Sequence, residues 1–101
     1  MQKTIQIGPI KLSNRLPLAF MAGPCVIESR EQYLTTVKKL KAIIAKTKHP
    51  YILKASYDKA NRTSVDAYRG PGLAAGMKIL QEAKQLTGLP LVVDVHEPWQ
   101  A

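Results

Sequence analysis

Three short apolar runs, each followed at once by turn-forming or polar residues, constrain what this chain can fold into more than any other feature. Residues 18–22 (LAFMA) form a continuous apolar run ended by Gly23-Pro24, the pattern of a strand buried on both faces. Tyr51-Ile52-Leu53 repeats it, and Leu91-Val92-Val93-Asp94 repeats it again after Pro90. The stretches between them have helical spacing. Ser29 with Gln32 has the spacing of a capping box, and Tyr33, Leu34, Val37, Leu40, Ile43 and Ile44 then recur on one face, so a helix is predicted over residues 30–46. His49-Pro50 ends it. Leu73, Met77, Leu80 and Ala83 mark a second helix, which stops near Gly88, a residue suited to the left-handed position just past a helix end. Strand, helix, strand, helix, strand predicts parallel strands with right-handed crossovers, hence an α/β fold. Ahead of this unit, residues 4–12 (TIQIGPIKL) alternate around Gly8-Pro9 and predict a short hairpin, a lid or a plug.

Three strands neither close a barrel, which takes eight, nor make the usual doubly wound sheet, and no helix is predicted after the third. With 101 residues, 46% hydrophobic and 22% charged, the chain reads as part of one globular domain, truncated after its third strand. It has no run of about 18 apolar residues, and its start, MQKTIQIGPIKL, lacks the apolar core of a signal peptide. No membrane partner is therefore expected, and a cytoplasmic location is. The net charge of +8 is compatible with nucleic acid, an acidic membrane or small anions. Many of the lysines (Lys38, Lys39, Lys41, Lys46, Lys48) sit on or just beyond the first helix, and the few aromatic residues are not interleaved with them. The stacking platform of a single-strand binder is missing, which argues against nucleic acid.

In parallel α/β folds, ligands bind beyond the carboxyl ends of the strands. Polar residues follow that rule three times: Gly23, Pro24, Cys25 and Glu28 after the first strand; Lys54, Ser56, Asp58, Lys59, Asn61 and Arg62 after the second; Asp94, His96 and Glu97 after the third. The second group opens a polar loop of about fifteen residues, long for a strand-to-helix connection, and such loops tend to be functional. Lys54, Lys59 and Arg62 place three cations in a short span, suited to phosphate or carboxylate; a solvated loop whose charges pair with Asp58 and Asp66 is an equally good reading of composition alone. RGPG at residues 69–72 reads best as a tight turn. Cys25, the single cysteine, rules out an internal disulfide and leaves three roles open: apolar filler, nucleophile or metal ligand, with only His96, Asp94 or Glu97 at hand as companions. His96, between Asp94 and Glu97, suits a site residue somewhat better than a core histidine.

Taken in order, GPCVIES (residues 23–29), KASYDKANRTS (54–64), RGPGL (69–73) and DVHEPWQ (94–100) resemble the 3-deoxy-8-phosphooctulonate synthase family across nearly the whole chain. KANR is the discriminating element, since the related 3-deoxy-heptulosonate 7-phosphate synthases carry a KPR-type motif there. The resemblance implies the N-terminal hairpin, first three strands and two helices of a (β/α)8 TIM barrel. It further implies a homo-oligomer, usually a tetramer, that condenses phosphoenolpyruvate with arabinose 5-phosphate for lipopolysaccharide synthesis. On that basis Lys54, Ser56 and Lys59 hold phosphoenolpyruvate, with Lys54, Lys59 and Asp94 as the catalytic set. Asn61 and Asp94 bind sugar hydroxyls, Arg62 and Thr63 meet the sugar phosphate across a subunit interface, and His96 is a substrate-binding residue. Thr63 stands where serine is common, and Tyr57 replaces a frequent phenylalanine. Members with cysteine at the position of Cys25 use a divalent metal ion, so Cys25 is the implied ligand, with a histidine and two carboxylates supplied by later strands. A heptulosonate-type synthase, or a product that binds phosphorylated ligands without turnover, are the alternative readings.

Overall fold

A computed structural model of the chain describes residues 3–57, 70 and 72–101. Strands β1 (Ile5–Ile7) and β2 (Ile10–Leu12) form the predicted antiparallel hairpin, with Ile5 opposite Leu12 and Ile7 opposite Ile10. Then come β3 (Phe20–Ala22), α1 (Arg30–Ala45), β4 (Tyr51–Ala55), α2 (Leu73–Thr87), β5 (Leu91–Val93) and a 3-10 turn at Pro98–Gln100. The last three strands make one parallel sheet in the spatial order β3-β4-β5, with Ala22 opposite Leu53 and Ala55 opposite Val93. The fold is thus a small α/β unit with a parallel sheet and two helices.

Local chemistry sets the helix ends. The Ser29 hydroxyl accepts the Gln32 N–H at 3.1 Å and satisfies one of the donors left over at the start of α1. Gly88 stops α2 in a left-handed conformation (φ 70°), its N–H returning to the Lys84 carbonyl at 2.8 Å. Both helices pack on the same side of the sheet. Tyr33, Val37 and Ile44 of α1 and Leu80 and Ala83 of α2 join Tyr51, Leu53 and Ala55 of β4 in one buried cluster, with Phe20, Ala22, Leu91 and Val93 packed against it. Alternation along a strand sends Met21, Ile52, Lys54 and Val92 to the other side. Sequential strand order with both helices on one side is compatible with part of a TIM barrel, whereas a doubly wound sheet places helices on both sides.

Several expectations are corrected. β3 is two residues shorter than expected, and within this segment Met21, on the side of the sheet that carries no helix, is 49% exposed. β4 is longer than expected and reaches Ala55. Ile43 and Met77, placed with the apolar face of their helices, are 59% and 48% exposed. The buried stripe of α2 runs through Gly76, Leu80, Ala83 and Thr87, one position away from Met77. Thr87 is tolerated there because its hydroxyl donates to the Ala83 carbonyl at 2.8 Å.

The hairpin lies near the amino end of the sheet. A Cβ on Gly8 would come within 3.8 Å of the Pro90 side chain, and Leu12, Leu16, Leu18 and Met21 line a hollow together with the fully buried Ile52. Pro90 precedes β5, so the tip of the hairpin lies at the amino end of that strand. Among the described residues no helix is long and apolar enough to cross a membrane.

Candidate active site at the strand carboxyl ends

Close backbone approach draws the opposite end together. A Cβ on Gly23, just past β3, would fall on the Lys54 carbonyl of β4, so the chain can pass there only as glycine. The following loop then crosses the end of β4: the Ile27 N–H donates to the Ser56 carbonyl at 3.1 Å, and Val26 and Ile27 are buried. Cys25, between these anchors, is a free thiol in an exposed residue.

Lys54 is the one exposed position of β4, and its charge stays in solvent on the side away from the helices. Ser56 is buried, at 4% exposure, yet its hydroxyl donates to Asp94 Oδ2 at 3.2 Å. The same carboxylate oxygen lies 4.0 Å from His96 Nε2, an arrangement that becomes an ion pair when the imidazole is protonated. One carboxylate therefore links the ends of β4 and β5. The His96 ring also meets Tyr57, with centroids 5.9 Å apart and planes tilted by 44°.

Tyr57, next to Ser56, is 1% exposed. Its slot exists because its neighbours lack side chains: a Cβ on Gly76 would stand 2.5 Å from the Tyr57 Cβ, and one on Gly70 would fall on the Tyr57 carbonyl. The hydroxyl donates to Gln100 Oε1 at 2.5 Å. That oxygen also accepts the N–H groups of His96 at 2.9 Å and Glu97 at 3.1 Å.

Of the site residues expected from sequence, Ser56, Asp94 and His96 are brought together, with Lys54 two residues before Ser56 on β4. Asp58, Lys59, Asn61, Arg62 and Thr63 lie outside the described residues, as do Arg69 and Pro71 of RGPG. Gln100, and Tyr57 as more than a variant of phenylalanine, were missed. The signal was present in Gln100 standing three residues after Glu97 with Pro98 between, the spacing of a short capping box. Among the described residues no group of three or more His, Cys, Asp and Glu side chains stands together. Cys25 is therefore at most one ligand of a metal whose other ligands come from elsewhere.

Among the described residues, the perturbed ionisable groups lie away from this end. Burial pushes the Tyr33 and Tyr51 hydroxyls up from the ordinary tyrosine value, the charge on Tyr51 adding to the effect at Tyr33. On the helix surface the hydrogen-bonded pair of Arg30 and Glu82, 2.5 Å apart, holds the carboxylate below its ordinary value and the guanidinium above.

A parallel α/β sheet with hydroxyl, carboxylate, imidazole and ammonium groups at its carboxyl ends has the layout in which α/β proteins bind ligands. Residues 3–101 match the DAHP synthetase I family, and the chain belongs to it. Among curated relatives it is similar to the 2-dehydro-3-deoxyphosphooctonate aldolases of Azotobacter vinelandii (47% identical) and Stutzerimonas stutzeri (45%), each match covering 99% of this chain and 36% of the relative. The protein of that name from Escherichia coli O1:K1 is 47% identical over 99% of this chain and 35% of its own length. These are the 3-deoxy-8-phosphooctulonate synthases under another name, so the resemblance carried by the four motifs is borne out. The chain spans about a third of the length of these relatives, matching their N-terminal part.

Proposed function

We propose that this chain is the N-terminal part of a (β/α)8 barrel enzyme that condenses phosphoenolpyruvate with arabinose 5-phosphate to 3-deoxy-D-manno-octulosonate 8-phosphate and phosphate, in the cytoplasm, for lipopolysaccharide synthesis. The observation that carries this reading is the meeting of Ser56 with Asp94 and His96 at the carboxyl ends of β4 and β5, in a chain whose relatives bear that enzyme's name.

In the reaction the enol carbon of phosphoenolpyruvate bonds to the aldehyde carbon of the sugar, whose oxygen takes up a proton. Water adds to the neighbouring carbon, and the C–O bond to phosphate breaks as the ketone forms. Two anions must be held side by side against their repulsion, so positioning and cationic clamping supply most of what the protein contributes. Lys54, Ser56 and Lys59 take phosphoenolpyruvate; Asn61, Asp94 and His96 take the sugar, with Arg62 and Thr63 on its phosphate across the interface of a homotetramer. The Ser56–Asp94 hydrogen bond supports this assignment, since it couples a residue of one substrate's half to a residue of the other's. Cys25 is the ligand this chain contributes to a divalent ion, which when bound polarises an oxygen or orders water.

The test is product formation by the full-length protein carrying this segment, with arabinose 5-phosphate and erythrose 4-phosphate compared, with and without a chelator. Turnover with arabinose 5-phosphate, lost on chelation and restored by a divalent ion, is expected. Preference for erythrose 4-phosphate would assign a heptulosonate-type synthase instead, and turnover indifferent to chelation would remove the metal role of Cys25.

A further inference from the structure

We infer that the hydroxyl of Tyr57 is a positioning group: through Gln100 it locks the segment carrying Asp94 and His96 onto the end of β4, and so sets the fit of the sugar-phosphate half of the site. Gln100 Oε1 receives three donors, the Tyr57 hydroxyl at 2.5 Å and the N–H groups of His96 at 2.9 Å and Glu97 at 3.1 Å. The first of these comes from β4's end, 43 residues away in sequence, and the other two from the segment after β5. A single side-chain oxygen therefore fastens two strand ends to each other. Tyr57 can serve as the fixed post, because it is fully buried against Gly76 and its carbonyl accepts the Gly72 N–H at 3.2 Å.

The segment being held needs such a post. β5 is three residues long, and Asp94, Val95, His96 and Glu97 are all exposed beyond it. A further side-chain link from β4's end to this segment is the Ser56 hydroxyl on Asp94, at a longer 3.2 Å. A phenylalanine at position 57 would fill the same slot, keep the ring contact with His96 and leave the two backbone donors on Gln100, but would remove the hydrogen bond that joins Gln100 to the end of β4. The hydroxyl thus acts on a substrate-binding geometry without touching substrate.

This inference rests on the proposed function for its kinetic consequence and on geometry alone for its structural one, and both are measured on the full-length protein with Tyr57→Phe. Hydrogen exchange of the His96 and Glu97 amides should speed up at least fivefold while the Leu91–Val93 amides stay unchanged. KM for arabinose 5-phosphate should rise about three- to tenfold, with KM for phosphoenolpyruvate and the melting temperature little altered. Gln100→Leu should reproduce both effects, and adding Tyr57→Phe to it should change nothing further. Gln100→Glu, which keeps an acceptor oxygen, should retain most of the wild-type exchange protection. Unchanged exchange at His96 and Glu97 in Tyr57→Phe would overturn the tether. A parallel rise of both KM values would overturn its link to the sugar half. If the wild type does not turn over arabinose 5-phosphate, the functional reading fails, and the exchange measurement still decides the tether.

Discussion

The two faces of the parallel sheet are built on different terms. Towards α1 and α2, the face of Tyr51, Leu53 and Ala55 is closed: these residues are 5%, 0% and 0% exposed in a cluster drawn from both helices. On the opposite face only Ile52 is fully buried, beside the segment that follows the hairpin, while Met21 and Lys54 stand exposed. The helix face supplies cohesion, and the open face supplies an ammonium group at the end where ligands bind. Stability and function are thereby separated by the two-residue period of a strand: neighbours such as Leu53 and Lys54 do unrelated work.

That comparison breaks if substitutions on the two faces of the full-length protein do not differ. The largest effect is expected of Gly23→Ala, whose added methyl meets the Lys54 backbone, an atom that cannot swing away; overpacking of this kind costs about 3 kcal/mol or more in urea unfolding. Leu53→Ala should follow, at about 2–5 kcal/mol for a cavity in the closed face, against a smaller loss for Lys54→Ala, whose side chain is exposed at the end of the same strand. Equal losses of stability at Leu53 and Lys54 would mean that the two faces are not divided between cohesion and ligand binding.

Tyr33→Phe should act in the other direction. The Tyr33 hydroxyl is buried with no hydrogen-bond partner among the described residues, so removing it should raise stability by about 1 kcal/mol. Burial holds its folded pKa above the ordinary 10.0, so the folded state keeps a proton that the unfolded chain gives up. Stability is therefore full below pH 10 and declines as pH rises beyond it; Tyr33→Phe should flatten that decline, leaving the smaller share due to Tyr51. A steeper alkaline loss in the variant would contradict the placement of this hydroxyl.

The smallest effect belongs to the bridge between the helices. Arg30 and Glu82 are joined by three hydrogen bonds but sit in solvent, where such pairs contribute little and are screened by salt. Glu82→Gln should lower the melting temperature slightly, and only at low salt. Because Glu82 is held below its ordinary value, what the pair contributes is present at neutral pH and lost as pH falls through the lowered value.

How much could be read beforehand divides along local and distant chemistry. Helix ends were legible because Ser29 with Gln32, and Gly88 with Lys84, satisfy backbone groups within one turn. Parallel pairing followed from the order of apolar runs, and the placement of Ser56, Asp94 and His96 from their position after those runs. Which of two adjacent apolar residues turns inward was not legible: Ile43 or Ile44, Met77 or Gly76 depends on the neighbouring surface, and the slot for Tyr57 selects glycine where periodicity favours methionine. The role of Gln100 was hidden for a related reason, since one of its three donors arrives from a distant strand end.

The central claim, that the carboxyl ends of these strands hold a phosphorylated substrate while the hairpin end serves structure, is tested most directly by calorimetric titration of phosphoenolpyruvate into the full-length protein. Lys54→Ala should weaken binding at least about tenfold, the loss of one charge-assisted contact to an anion, whereas Ile5→Ala in the hairpin should leave it unchanged. Unaltered affinity in Lys54→Ala would contradict the account.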